Sequence, residues 1–505
     1  MAQRSIIIIG AGIAGLAAGC YAQMNGYSTE IHEAHDKPGG LCTGWKRKGY
    51  TIDGCIHHLA GASPGVEFYR LWEELGAVRG REMVFHDTLT QVESADGRVL
   101  TVYTDIDRLE QHMKQLSPAD ASLIEEYLDG ARRFARVDLF SLMAMTPLQA
   151  ARKAWPVAGT FAKWSKVTLD QFAEGFQDPF LRRAFPTVQY DFADIPMFLH
   201  LNFLAGCQNK TLGWPKGGAL PFARSIADRY EQLGGRIHYR SRVNRILVES
   251  DRAVGVIVDG AEHRADMVIS AADGHSTIFG MLGGRYADDR IRRFYDAAPR
   301  SLEMALQVAF GVNRDMSHEP QALVWFLPEP VTIVDRALDR VSIEVYNFDD
   351  TLAPAGKTVV KVMLSACYDY WKGLLDADRA KYDDEKQRVA AAVLKLLEQR
   401  FPGISAQVEM TDVATPVTTE RFTGNWRGLQ AWGVPGEPFA MFKGLTRTLP
   451  GLRSMYMVGQ WAESTIGLPT AVASGRRAVQ SICRLDGKRF RTTTLSEYSS
   501  VQRED

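Results

Sequence analysis

An excess of either charge is missing from this sequence: 59 basic residues face 60 acidic ones over 505 positions, a formal charge of −1. Nucleic-acid binders carry a large basic surplus, so that class is excluded and no nucleic-acid partner is expected. Cysteine is scarce as well. Cys20, Cys42, Cys55, Cys207, Cys367 and Cys483 form no CxxC pair. They make neither a disulfide framework nor a zinc pattern, so no metal is expected and a reducing cytoplasm is the simpler setting. Internal repeats and low-complexity tracts are absent. Residues 5–29 carry no charge, but Gly10, Gly12, Gly15, Gly19 and Gly26 break that stretch, and no basic start or small-residue cleavage site marks a signal peptide. The expectation is a chain that does not span a membrane. Hydrophobic residues make up 46% and charged residues 24%, ordinary globular values that exclude wholesale disorder. At roughly 150 residues per domain, the length admits about three domains, or two large or discontinuous ones.

What is present begins at residue 5. The β-branched run Ser5-Ile6-Ile7-Ile8-Ile9 suits a buried parallel strand. It leads into Gly10-Ala11-Gly12-Ile13-Ala14-Gly15, then a helical stretch over 13–25 that Gly26 can end. A second strand over 27–32 brings Glu33, 18 residues after Gly15, to its end. Gly10 permits the tight turn, Gly12 lets a pyrophosphate approach the backbone, and Gly15 lets the helix pack on the sheet. The helix N-terminus offers N–H groups and a positive dipole end to phosphates. Glu33 can accept from both ribose hydroxyls and would repel a 2′-phosphate.

Past Glu33 the chain runs through Lys37 and Pro38 to a glycine pair, Gly39-Gly40. Here the sequence resembles the two-dinucleotide-domain flavoproteins, whose motif extends to a paired glycine near the flavin. The resemblance implies FAD as cofactor and a Rossmann-like α/β FAD-binding domain joined to an α+β substrate domain with a mixed or antiparallel sheet. Leu41 stands where many relatives place Arg, which argues against the amine oxidases. A second cluster starts at Trp214-Pro215-Lys216-Gly217-Gly218, continues through a helix over 220–233 and a strand over 236–249, and reaches a hairpin at Asp259-Gly260. This order resembles the middle segment of the phytoene desaturase and amine oxidase superfamily, which implies a backbone contact from Val243 to the adenine of FAD. A third cluster joins Gly459-Gln460-Trp461, Gly467-Leu468-Pro469-Thr470 and a helix over 471–484. It resembles the end of the carotenoid desaturases, retinol saturases and carotenoid isomerases. Its helix dipole would stabilise negative charge at the flavin.

The FAD domain should therefore be discontinuous, built from 1–70, 215–300 and 448–490. The substrate domain would take 71–214, mainly helical, and 301–447, strand-rich with one long helix over 376–400. Residues 491–505 are polar and read as a flexible tail. A second dinucleotide fingerprint is lacking. Reduced flavin would pass electrons to a quinone, to oxygen, or to a nicotinamide bound transiently at its own face.

On the substrate side, His57 and His58 follow the first cluster closely, where relatives run beside the isoalloxazine. Either can bond the flavin or serve as acid/base near neutral pH, with His58 preferred; a satisfied structural histidine is the alternative. Residues 139–169 hold no acid but carry Arg152, Lys153, Lys163 and Lys166 among Leu148, Trp155 and Phe161. That mixture suits peripheral contact with an anionic membrane, or an ordinary helix pair broken at Pro156. Phe192, residues 196–204, Met441 and Phe442 supply apolar surface for a tunnel or for the core. Together these imply an FAD-dependent oxidoreductase exchanging hydride with a C–C unit of a long apolar, carotenoid- or isoprenoid-like substrate. The alternatives are amine oxidation and a non-catalytic prenyl-lipid carrier like the GDP-dissociation inhibitors.

Overall fold

The computed structural model describes residues 3–189, 192, 194–299, 301–334, 336–429, 444–463 and 467–495, with the backbone alone at 301 and 302. Strand Ser5–Ile9 is the centre of a five-stranded parallel sheet. Ser28–His32 and Met267–Ser270 flank it, and Arg236–His238 and Met455–Met457 form the edges. All three motif clusters thus lend strands to one sheet. Alternation along the central strand explains its composition. Ile6 and Ile8 join the core with helices Ile13–Met24, Ala219–Gln232 and Gly467–Leu485. Ile7 and Ile9 face a three-stranded antiparallel sheet, Val243–Glu249, Arg252–Val258 and Ala261–Arg264. A strand covered on both faces has no use for polar residues.

The strand expected over 236–249 is two strands in two sheets. Between them Arg240 takes φ +54°. The N–H groups of Arg240 and Ser241 leave the ladder and donate to the carbonyls of His35 (3.0 Å) and Glu33 (2.8 Å). The hairpin at Asp259 (φ +49°) and Gly260 (φ +83°) forms as its sequence requires.

The second large sheet has seven strands, in the order Val408–Ala414, Ser301–Val312, Thr358–Cys367, Arg336–Tyr346, Ala322–Ile333, Thr88–Glu93 and Val99–Tyr103. Neighbours are antiparallel except Ala322–Ile333 with Thr88–Glu93, so the sheet is mixed. The mainly helical segment 71–214 therefore also contributes a hairpin, and its strands Met83–Val84 and Leu212–Pro215 pair in a small sheet with Leu59–Ala60. Helices such as Ala121–Phe134 and Met197–Gln208 pack against Val324 and Phe326 of this sheet. The helix expected over 376–400 is interrupted. Tyr368–Ala377 ends, and the Asp378 carboxylate caps Arg379–Arg400 by accepting from the Ala380 N–H at 2.8 Å. Past residue 490 the chain is still held: Arg491 N donates to Asn25 Oδ1 (2.8 Å), and Arg229 donates to the Thr493 carbonyl (3.0 Å). The rest of the expected tail, 496–505, lies outside the described residues. Among the described residues no helix is long and apolar enough to cross a membrane.

Candidate active site

The glycine loop is built as its chemistry demands. Gly10 sits at φ +94° and donates to the His32 carbonyl at 2.8 Å. A Cβ on Gly15 would lie 2.0 Å from the Gly10 carbonyl oxygen, whereas one on Gly12 would meet nothing nearer than Gly39 O at 4.0 Å. Gly12 thus leaves open space in front of a helix, Ile13–Met24, that has no side-chain cap and no acid in its first turn. The paired glycines close over this loop. Gly39 N donates to Ala11 O at 2.9 Å, Gly40 lies against Gly12 Cα, and the half-buried Leu41 follows. Glu33, 8% exposed, accepts from Ala11 N (2.6 Å) and His35 N (2.8 Å). Burial pushes its carboxyl upward against the pull of those N–H groups. The buried Val243 lies two residues beyond Ser241, whose N–H donates to the Glu33 carbonyl.

The C-terminal cluster meets the first directly. A Cβ on Gly475 would lie 2.6 Å from the Ala14 carbonyl, so helix Gly467–Leu485 rests on Ile13–Met24. Gly459, at φ +100°, donates to Ser474 Oγ at 2.7 Å. Gly467 is exposed at the start of its helix, Leu468 is half-buried, and Pro469 and Thr470 are buried. An uncapped helix start, an open glycine cradle and a buried carboxylate at the end of the next strand fit a dinucleotide. Glu33→Gln should weaken retention of the dinucleotide by about 1.5–3 kcal/mol, the worth of hydrogen bonds to a charged group. Equilibrium release of flavin fluorescence measures it; an unchanged Kd would remove Glu33 from the site.

The loop after the first cluster reaches the seven-stranded sheet. His57 Nδ1 lies 2.5 Å from Glu344 Oε1, and Lys361 Nζ lies 2.8 Å from Glu344 Oε2. Glu344 and Lys361 are register partners on adjacent strands. Lys361 also donates to the Asp53 carbonyl at 3.2 Å. Burial opposes ionisation of Glu344, yet His57 and Lys361 outweigh it and hold the carboxyl well below the usual carboxylate range. The buried Asp53 carboxylate fixes the loop by accepting from the N–H groups of Cys55, Ile56 and Ala219, the last at the start of helix Ala219–Gln232. His58 lies deeper, edge-on to the rings of Phe203 (5.1 Å) and His86 (5.8 Å). Its burial pushes the imidazole well below its ordinary value, so it is neutral at physiological pH.

Glu344 also lines a cavity on this sheet. Its other walls are mostly apolar and include Leu89, Val188, Phe192, Val324, Ile343 and Met363, with Arg340, Glu303 and Ser365 as polar members. Phe192 is therefore a cavity residue. The neighbouring stretch divides: Met197, Phe198, Leu201 and Leu204 are core, His200 is buried between Tyr127 (2.7 Å) and Gln189 (3.0 Å), and Phe203 packs on His58. Met441 and Phe442 lie outside the described residues. Sequence reasoning missed Glu344, Lys361 and Asp53. The available signal was a charge inside an apolar strand, as in Val341-Ser342-Ile343-Glu344-Val345 and Val359-Val360-Lys361-Val362-Met363.

Comparison with known proteins agrees with this geometry. The sequence pattern described as flavin containing amine oxidoreductase matches residues 13–483. Prolycopene isomerase, chloroplastic, of Arabidopsis thaliana is 24% identical over 479 residues, covering 90% of this chain and 78% of that protein. Phytoene desaturase (lycopene-forming) of a Paracoccus species is 25% identical over 512 residues, covering 95% and 97%. Among solved structures, an oxidoreductase from Methanosarcina mazei matches with a TM-score of 0.56 at 18% identity, covering 94% of this chain and all of that one. Cyclohexylamine oxidase from Brevibacterium oxydans matches with a TM-score of 0.57 at 17% identity, covering 96% and 100%. Structural matches at 17–18% identity speak for the fold alone. The family match spans nearly the whole chain, and its cofactor is FAD: this chain is an FAD-dependent oxidoreductase belonging to the flavin-containing amine oxidoreductase family.

Proposed function

We propose that this oxidoreductase exchanges hydride with a C–C unit of a long, apolar, carotenoid- or isoprenoid-like substrate. The observation that carries the reading is the apolar cavity whose wall includes Glu344, the partner of His57. Bound FAD supplies a hydride donor and acceptor. The chain would do the rest. The apolar side chains of the wall would align an extended hydrocarbon, which lowers the barrier through positioning. Glu344 fixes the His57 ring through Nδ1, and we assign the proton to its Nε2. The carotenoid-acting relatives favour this substrate class over amines.

The test is anaerobic. The yellow protein is mixed with C40 polyenes and, separately, with amines, and absorbance near ~450 nm is followed, where the oxidised flavin absorbs. Bleaching by the polyenes with product identified is the expected result. Hydrogen peroxide formed on feeding amines, with no polyene turnover, would overturn it.

Access for such a substrate would come from a lipid surface. Leu148 and Trp155 are 82% and 80% exposed, in helix Pro147–Ala154 and the turn Trp155–Val157. Around them stand Arg152, Lys153, Lys163 and Lys166, although Glu67 and Glu126 pair with Lys153 (2.5 Å) and Lys163 (2.9 Å). An exposed Trp and Leu inside a basic surface suit an anionic bilayer. The chain should float with anionic liposomes at low salt, and L148D/W155A should cut the bound fraction at least ~10-fold, since each Trp or Leu buried is worth about 1.5–3 kcal/mol. Equal flotation of both proteins would reject this face.

A further inference from the structure

We propose that Glu30, His32 and His238 form a binding site for a divalent transition cation of the zinc class, at the edge of the parallel sheet next to the FAD cradle. Cysteine spacing gave no hint of it, because the ligands come from strands 206 positions apart in the chain. The sheet register brings them together. His32 and His238 are direct cross-strand partners in a parallel pair, and Glu30 precedes His32 by two residues on the same face. One ligand atom from each lies within 4.8 Å of the others. Glu30 Oε2 is 3.1 Å from His238 Nε2, and Glu30 Oε1 is 3.7 Å from His32 Nε2.

The independent sign of a ligand is at His32. Its side chain is almost wholly buried (2% exposed), and its Nε2 has no hydrogen-bond partner. That nitrogen faces the carboxylate. On the other side of the ring, Nδ1 lies 2.7 Å from Ser241 Oγ. With the serine accepting from Nδ1, the Nε2 lone pair is directed at the site. A ring nitrogen fixed by its neighbour in this way is the usual support of a metal-bound histidine. The His263 ring packs edge-on to His32 at 4.9 Å and holds it in place.

Two imidazoles and one carboxylate suit zinc and its neighbours in the first transition row. Tetrahedral ligands at 2.0–2.2 Å sit about 3.4 Å apart, and the His32 and His238 rings, stacked at 4.9 Å with planes 16° apart, have to turn for both nitrogens to face one ion. Glu30 and His238 have room to move, their side chains being 35% and 34% exposed, and that exposure admits solvent to the fourth position. Closure would tie the two strand ends that position the ribose-binding carboxylate, since Glu33 N donates to the His238 carbonyl at 2.9 Å.

The test uses the tag-free, FAD-loaded protein and Zn²⁺ alone. Calorimetric titration, with bound metal counted by elemental analysis after dialysis, should show about one zinc per chain, and the thermal midpoint should rise with added zinc. H238A and E30Q, both at half-exposed positions, should each weaken binding at least ~10-fold and abolish the thermal response, with circular dichroism and flavin content unchanged. H318A, at an exposed histidine elsewhere, should bind as the parent does. Zinc binding that is absent from the parent, or that survives in both H238A and E30Q, overturns the site.

Discussion

Lys361→Met is expected to cost about 3–5 kcal/mol of stability, the usual result of removing one partner from a buried ion pair. Lys361 is 1% exposed, and its Nζ bridges Glu344 Oε2 and the Asp53 carbonyl. Methionine fills the volume but leaves the buried Glu344 carboxylate beside the His57 imidazole without the ammonium that compensates its charge. The loss should appear as a lower urea midpoint at unchanged slope. The double variant K361M/E344M removes both charges and should recover much of it, because apolar replacement of a whole buried pair is often neutral. Strictly additive losses in that cycle would show that the two side chains are not coupled. The pH dependence has a definite sign. The Glu344 carboxyl is held below its unfolded value of about 4.3, so its contribution is complete above that pH and is lost only as the pH falls through the folded value. Without Lys361 the folded value rises, and acid loss should begin nearer pH ~4.3.

The geometry of the glycine loop was legible because it is local. A turn that only glycine allows, a helix start and a carboxylate at the next strand end all lie within residues 10–40, and the structure joins them through Gly12, Gly39 and Glu33. The His57–Glu344–Lys361 cluster was not legible, because its members meet only through pairing of strands from distant parts of the chain. Alternation over 236–249 correctly signalled strand but could not reveal that Arg240 divides it between two sheets. The same limit applies to charge. Residues 139–169 have no acid of their own, yet Glu67 and Glu126 reach their lysines from other helices. Periodicity describes one segment's face; what covers that face is set by topology.

His57→Gln is expected to slow single-turnover bleaching of the flavin by substrate about 10²–10⁴-fold, the range for a positioned acid/base group. Glutamine keeps a hydrogen bond toward Glu344 and fills similar space, so folding and FAD content should hold. His58→Phe should cost less than ~10-fold. His58 is surrounded by the rings of Phe203 and His86, and burial already keeps it uncharged, so phenylalanine preserves what it contributes to packing. Position in sequence favoured His58; an ion pair at the cavity wall favours His57. A buried imidazole held far below its ordinary pKa is a poor source of protons near neutral pH, whereas one clamped by a carboxylate keeps a fixed ring orientation. Equal slowing by both substitutions, or slowing by His58→Phe alone, would return the proton to the buried ring and leave Glu344 and Lys361 with a structural task only.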